Sequence, residues 1–91
     1  MADGEHLVYM LHCQDGTLYT GYTNDLEHRI RMHEEGKGAK YTRGRGPFEI
    51  IYTCAFENKS DALREEYRIK KLTRQEKLEM IQAYEKGMYH E

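Results

Sequence analysis

The stretch Leu7-Val8-Tyr9-Met10-Leu11-His12-Cys13-Gln14-Asp15-Gly16-Thr17-Leu18-Tyr19-Thr20-Gly21 decides the fold. Two runs of β-forming residues flank an Asp-Gly pair, the dipeptide that favours tight hairpin turns. The pattern predicts a strand from Leu7 to Cys13, a turn at Gln14-Asp15-Gly16 and a returning strand from Thr17 to Gly21. In such a hairpin Tyr9 and Tyr19 can project from one face, although the turn leaves the register open by one residue. Phenols are costly to bury without a hydrogen-bond partner, so two of them near a helix start invite a functional reading.

The rest of the chain builds outward from that hairpin. Asn24 followed by Glu27 makes a capping box, and Gly36 supplies a stop, which predicts a helix from Asp25 to Glu35. Leu26, Ile30 and His33 share its inward stripe and Arg29 borders it. The bland readings of these two polar residues are a salt bridge for Arg29 and a satisfied core-edge imidazole for His33. Phe48 to Phe56, introduced by Pro47, reads as a third strand. Ser60 is the expected cap of a helix from Asp61 to Leu72, with Ala62, Glu66 and Ile69 on one face and Leu63 and Lys70 flanking it. Glu66 interrupts an apolar stripe, so its carboxylate must be paired, hydrated or bound to a cation. Thr73-Arg74-Gln75-Glu76 is a second capping box. It opens a helix running through Leu78, Ile81 and Tyr84 to Gly87, with Met88 to Glu91 expected to fray.

Ninety-one residues, 38 % apolar and 33 % charged, make one small domain over 1–91 with its core over about 7–83. A three-stranded sheet flanked by helices fits that supply of apolar side chains. No apolar run approaches the roughly 20 residues of a membrane span, and the first residues lack signal-peptide character, so a cytoplasmic protein is expected. Cys13 and Cys54 lack metal-ligand spacing and read as small hydrophobes in a reducing compartment. A net charge of −2 gives no global support to nucleic-acid binding. The distribution says more: Lys37, Lys40, Arg43 and Arg45 fall in a Gly-rich loop with no acid, which reads either as a solvated loop or as a phosphate-contacting surface.

The ordered set Leu7-Val8-Tyr9, Tyr19-Thr20-Gly21, Arg29, His33 and the helix Ala62-Leu63-Arg64-Glu65-Glu66-Tyr67-Arg68-Ile69-Lys70-Lys71-Leu72 resembles the GIY-YIG nuclease superfamily. The loop from Gly36 to Pro47 resembles that of its small stand-alone bacterial members, and the likeness spans about Leu7 to Ile81. The chain departs from the pattern at Leu7 and Val8, which replace Gly and Ile, and at Thr20, which replaces Ile. Both tyrosines and Gly21 are kept. The resemblance implies an α+β fold with a three-stranded antiparallel sheet flanked by helices. It also implies a metal-dependent DNA endonuclease that leaves 5′-phosphate and 3′-hydroxyl ends, acting in repair or recombination.

The resemblance further implies roles. Glu66 would hold Mg²⁺ or Mn²⁺, Tyr9 would activate or orient the attacking water, and Tyr19 and His33 would share that network. Arg29 would offset charge on the phosphorus, while Tyr41 with Lys37, Lys40, Arg43 and Arg45 would grip DNA. A branched or damaged substrate, or a protein partner, would supply targeting. The alternative is a catalytically silent nucleic-acid-binding module.

Overall fold

The computed structural model describes residues 6–38 and 42–89, with side chains through 87. Three strands and three helices follow one another as β1 (His6–His12), β2 (Leu18–Thr23), α1 (Leu26–Glu34), β3 (Glu49–Phe56), α2 (Lys59–Lys70) and α3 (Arg74–Tyr89). The strands form one antiparallel sheet in the order β2-β1-β3. This is the α+β architecture that the sequence implies, with β1 in the middle and therefore paired on both edges.

The hairpin closes where Asp-Gly predicts. Thr17 donates to the Asp15 carboxylate through both its backbone N–H and its hydroxyl, at 3.1 and 2.7 Å. The register then settles what the turn left open. Tyr9 stands opposite Gly21, and Leu11 stands opposite Tyr19. Tyr9 and Tyr19 are therefore diagonal neighbours on one face, their ring centroids 6.2 Å apart.

Alternation sends Val8, Met10, Thr20 and Tyr22 to the other face. There Val8 and Met10 pack with Ala62 and Ile69 of α2 and Ile81 of α3, and Leu18, Tyr22, Ile51, Tyr52, Phe56 and Met80 close around them. This is the apolar core.

Two helix starts differ from expectation. The cap of α1 is Asp25 rather than Asn24, its carboxylate accepting from the His28 N–H at 3.2 Å. The α2 helix begins earlier than expected because Asn58, not Ser60, accepts from the Asp61 N–H at 2.8 Å. Both Asx residues can cap, and the one aligned three residues ahead of an inward-turning N–H takes the role. The predicted box at Thr73 and Glu76 forms reciprocally, at 2.9 and 3.1 Å. The α3 helix continues to Tyr89, past the predicted end at Gly87. Along it Ile81 is buried, whereas Leu78 is 38 % exposed and lies outside the packed stripe. Cys13 and Cys54 are both free, the first buried and the second half-buried. Among the described residues no helix is long and apolar enough to cross a membrane.

Candidate active site

The face of the sheet opposite the core carries a polar network. The Tyr9 hydroxyl lies 2.8 Å from His33 Nε2, and His33 Nδ1 lies 2.8 Å from the Thr42 hydroxyl. Tyr9, His33 and Thr42 are all essentially inaccessible to water. Arg29, one helical turn before His33, donates from Nε to the Tyr9 oxygen at 3.4 Å and lies within electrostatic reach of Tyr19. The guanidinium thus stands beside both phenols. Tyr19 packs edge-on to the His33 ring at 5.2 Å, and Phe48 packs on it at 5.8 Å.

Two glycines make room for this network. A Cβ at Gly21 would stand 2.5 Å from the Tyr9 hydroxyl oxygen, and one at Gly38 would stand 2.5 Å from His33 Nδ1. No side chain fits at either distance. Gly21 is thus required because the Tyr9 ring lies across it.

The environment separates the protonation states. Burial pushes the Tyr9 phenol up to about 12, against the opposing pull of the Arg29 hydrogen bond. The His33 imidazole is held below its ordinary value by burial first and by the Arg29 charge second. The hydrogen bond to Tyr9 in turn raises Arg29. At neutral pH the phenol keeps its proton and the imidazole is neutral. With Arg29 donating into the phenol oxygen, the Tyr9 O–H points to His33 Nε2, and Nδ1–H then donates to Thr42.

Glu66 comes from α2. Its negative charge is among the influences that raise Tyr9, so it lies within electrostatic reach of the network. Its side chain is only 16 % exposed and pairs with Lys70 Nζ at 2.9 Å, the lysine being half exposed. That partner satisfies the carboxylate that interrupts the apolar stripe. Among the described residues no three His, Cys, Asp or Glu side chains converge on one point. A lone carboxylate with an exchangeable counter-charge suits a hard cation that completes its shell with water and phosphate, as Mg²⁺ does, and not the closed donor set of structural zinc.

The loop cations are placed differently from one another. Arg45 makes a tight ion pair with Asp15 of the hairpin turn, and Lys37 stands 3.8 Å from Glu35. Arg43 is exposed. Lys40 and Tyr41 lie outside the described residues. Sequence reasoning missed Thr42, Gly38, Phe48 and Lys70. Only Lys70 carried a signal, its i,i+4 spacing from Glu66; the others meet the site through the tertiary fold.

Tyrosines on paired strands, an arginine from the next helix and a half-buried carboxylate on a later one are the arrangement of a small nuclease-type catalytic domain. The chain belongs to the GIY-YIG family: the GIY-YIG catalytic domain model matches residues 5–79. It is similar to a UPF0213 protein of Oceanobacillus iheyensis, 65 % identical over 91 % of this chain and 96 % of the relative. A UPF0213 protein of Halalkalibacterium halodurans is 54 % identical over 84 % of this chain and 81 % of its own length. Two solution NMR structures share the fold. A UPF0213 protein from Bacillus halodurans superposes with a TM-score of 0.59 at 52 % identity, covering 87 % of this chain and 84 % of that one. A protein from E. faecalis superposes with a TM-score of 0.64 at 40 % identity, covering 96 % and 91 %. Membership places the chain in a nuclease family, and the relatives' names state no activity.

Proposed function

We propose that this protein is a divalent-metal-dependent DNA endonuclease, hydrolysing a phosphodiester to leave 5′-phosphate and 3′-hydroxyl ends. One observation carries the reading: Arg29 donates to a buried phenol and stands beside a more exposed one, the buried phenol is hydrogen-bonded to a neutral imidazole, and a lone carboxylate lies within reach. A structural ion pair would need none of that apparatus.

Glu66 would hold the cation, which when bound supplies charge neutralisation and Lewis acidity at the phosphate. Arg29 offers a fixed positive charge where the pentacoordinate phosphorus gains negative charge. Burial divides the labour between the tyrosines. Tyr9 is fully buried and protonated, which suits it to holding Arg29 and His33 in place. Tyr19 is half-buried, so it is the phenol we assign to orienting the attacking water. That transfers to Tyr19 the role the sequence suggested for Tyr9. His33 Nε2 accepts the Tyr9 proton and so fixes that phenol, rather than meeting the water itself. Lys37, Lys40, Tyr41 and Arg43 would contact the DNA backbone, with Arg45 available once released from Asp15.

The test is cleavage of single-stranded, duplex, flapped and branched DNA with Mg²⁺ or Mn²⁺, run beside Glu66→Gln. The expected result is cutting of at least one substrate by wild type and a loss of about 100-fold or more in the variant, with DNA affinity kept. Preferred cutting of the branched forms would support action in repair or recombination. Equal cutting by both proteins would remove Glu66 from the site. Binding without cutting under all metals would favour the silent binding module.

A further inference from the structure

The two flanks of α2 treat their charges differently. At 100° per residue the inward line of Ala62, Glu66 and Ile69 has Asp61, Glu65 and Arg68 on one side and Leu63, Tyr67 and Lys70 on the other, with Arg64 and Lys71 opposite it. Tyr67 also borders the groove lined by Arg64, Glu65 and Arg68. Both arginines are matched to acids of the first flank: Arg64 to Asp61 at 3.3 Å, Arg68 to Glu65 at 2.6 Å. The second flank has no acid of its own, and the nearest one is Glu66 on the inward line, the carboxylate assigned above to a cation.

That second flank also exposes its apolar side chains. Tyr67 is 62 % and Leu63 40 % exposed, and the Lys71 ammonium sits 4.3 Å from the centre of the Tyr67 ring. An aromatic face with an aliphatic neighbour and two lysines is the chemistry that receives a nucleobase together with its phosphates. The flank is continuous with the candidate active site, because Lys70 touches Glu66 at 2.9 Å.

We propose that Leu63, Tyr67, Lys70 and Lys71 form a stacking platform for an unpaired base of the nucleic-acid strand adjoining the cleaved phosphate. The inference rests on the nuclease reading and adds to it a preference for strands with unstacked bases. A duplex keeps its bases stacked inside and can offer the flank only phosphates. Lys70 and Lys71 supply the complementary charge to a strand whose phosphate spacing follows the helix flank away from Glu66.

The experiment measures binding without metal, in EDTA, by anisotropy of a labelled oligothymidylate and a labelled duplex. Tyr67→Ala should weaken single-strand binding about tenfold and leave duplex binding near wild type, while Tyr67→Phe restores it. Lys71→Gln should weaken both and flatten the salt dependence by about one counter-ion. Unchanged single-strand binding by Tyr67→Ala, or an equal loss on both probes, overturns the platform while leaving the nuclease reading intact. A wild-type dimer that Tyr67→Ala dissociates in sedimentation would likewise overturn it, assigning the flank to a second copy of the chain. Failure of wild type to bind either probe overturns the platform, and cleavage with Mg²⁺ or Mn²⁺ decides the nuclease reading separately.

Discussion

The two faces of the sheet share the same strands and handle polar groups in opposite ways. On the site face, Tyr9, His33 and Thr42 are deeply buried and each is hydrogen-bonded. On the core face, amid Val8, Met10, Ala62 and Ile69, the Thr20 hydroxyl is buried with no partner among the described residues. A buried polar atom without a partner costs stability, and a connected network limits that cost while fixing geometry. The difference shows where this small domain concentrates its buried polar network: on the face that carries the candidate site. The core face is mainly apolar, with a His6–Tyr22 hydrogen bond of 2.8 Å at its margin and the unpartnered Thr20 hydroxyl within it.

The harshest way to break the contrast is Gly21→Ala. The added methyl would meet the Tyr9 hydroxyl and ring carbon at 2.5 and 2.6 Å, displacing the ring that anchors the network. The expected loss is about 3 kcal/mol, within the range for overpacking, read as a lowered urea midpoint together with lost cleavage.

Thr42→Val comes next. It keeps the shape but leaves His33 Nδ1 without its partner in a buried site, at an expected cost of about 2 kcal/mol. Thr42→Ser should recover most of that stability. Nitrogen shifts of the His33 ring should report protonated Nδ1 in wild type and Thr42→Ser, and a mixture of tautomers in Thr42→Val.

Acid probes the same site more gently. His33 is held below its ordinary 6.5 in the fold, so below that pH the unfolded chain binds a proton that the folded chain refuses. Stability from this group is therefore full above about 6.5 and is lost as pH falls toward and through the lowered folded value. A urea midpoint that drops in mild acid for wild type, and drops less for His33→Gln, is the expected outcome.

The smallest effect has the opposite sign and lies on the other face. Thr20→Val replaces the unpartnered hydroxyl with a methyl and should raise stability by about 0.5–1 kcal/mol, with cleavage unchanged. A destabilised Thr20→Val would show that the hydroxyl has a partner after all, and the contrast between the faces would weaken.

Much of the fold was legible because its signals are local. Asp15-Gly16 marked the hairpin, and the Thr73–Glu76 box marked α3. The hairpin also let Tyr9 and Tyr19 share a face, with the register left to the fold. The errors were local too: Asn24 and Asp25, or Asn58 and Ser60, offer equivalent capping oxygens, and only the backbone path decides which one meets the free N–H. Arg45 shows a different limit. Its loop has no acid in sequence, yet its charge is taken by Asp15, thirty residues away along the chain.

The sequence by itself determined the strands, the helices, the pairing of β1 with β2 and the residue types a phosphodiester-cleaving site needs, because periodicity and turn chemistry act between near neighbours. Only the tertiary structure decided that Tyr9 is sealed and Tyr19 half-open, that Thr42 partners His33, and that Leu63 and Tyr67 on α2 stay uncovered. Those outcomes depend on which surfaces meet across the sheet, and burial of that kind belongs to the assembled chain rather than to any segment of it.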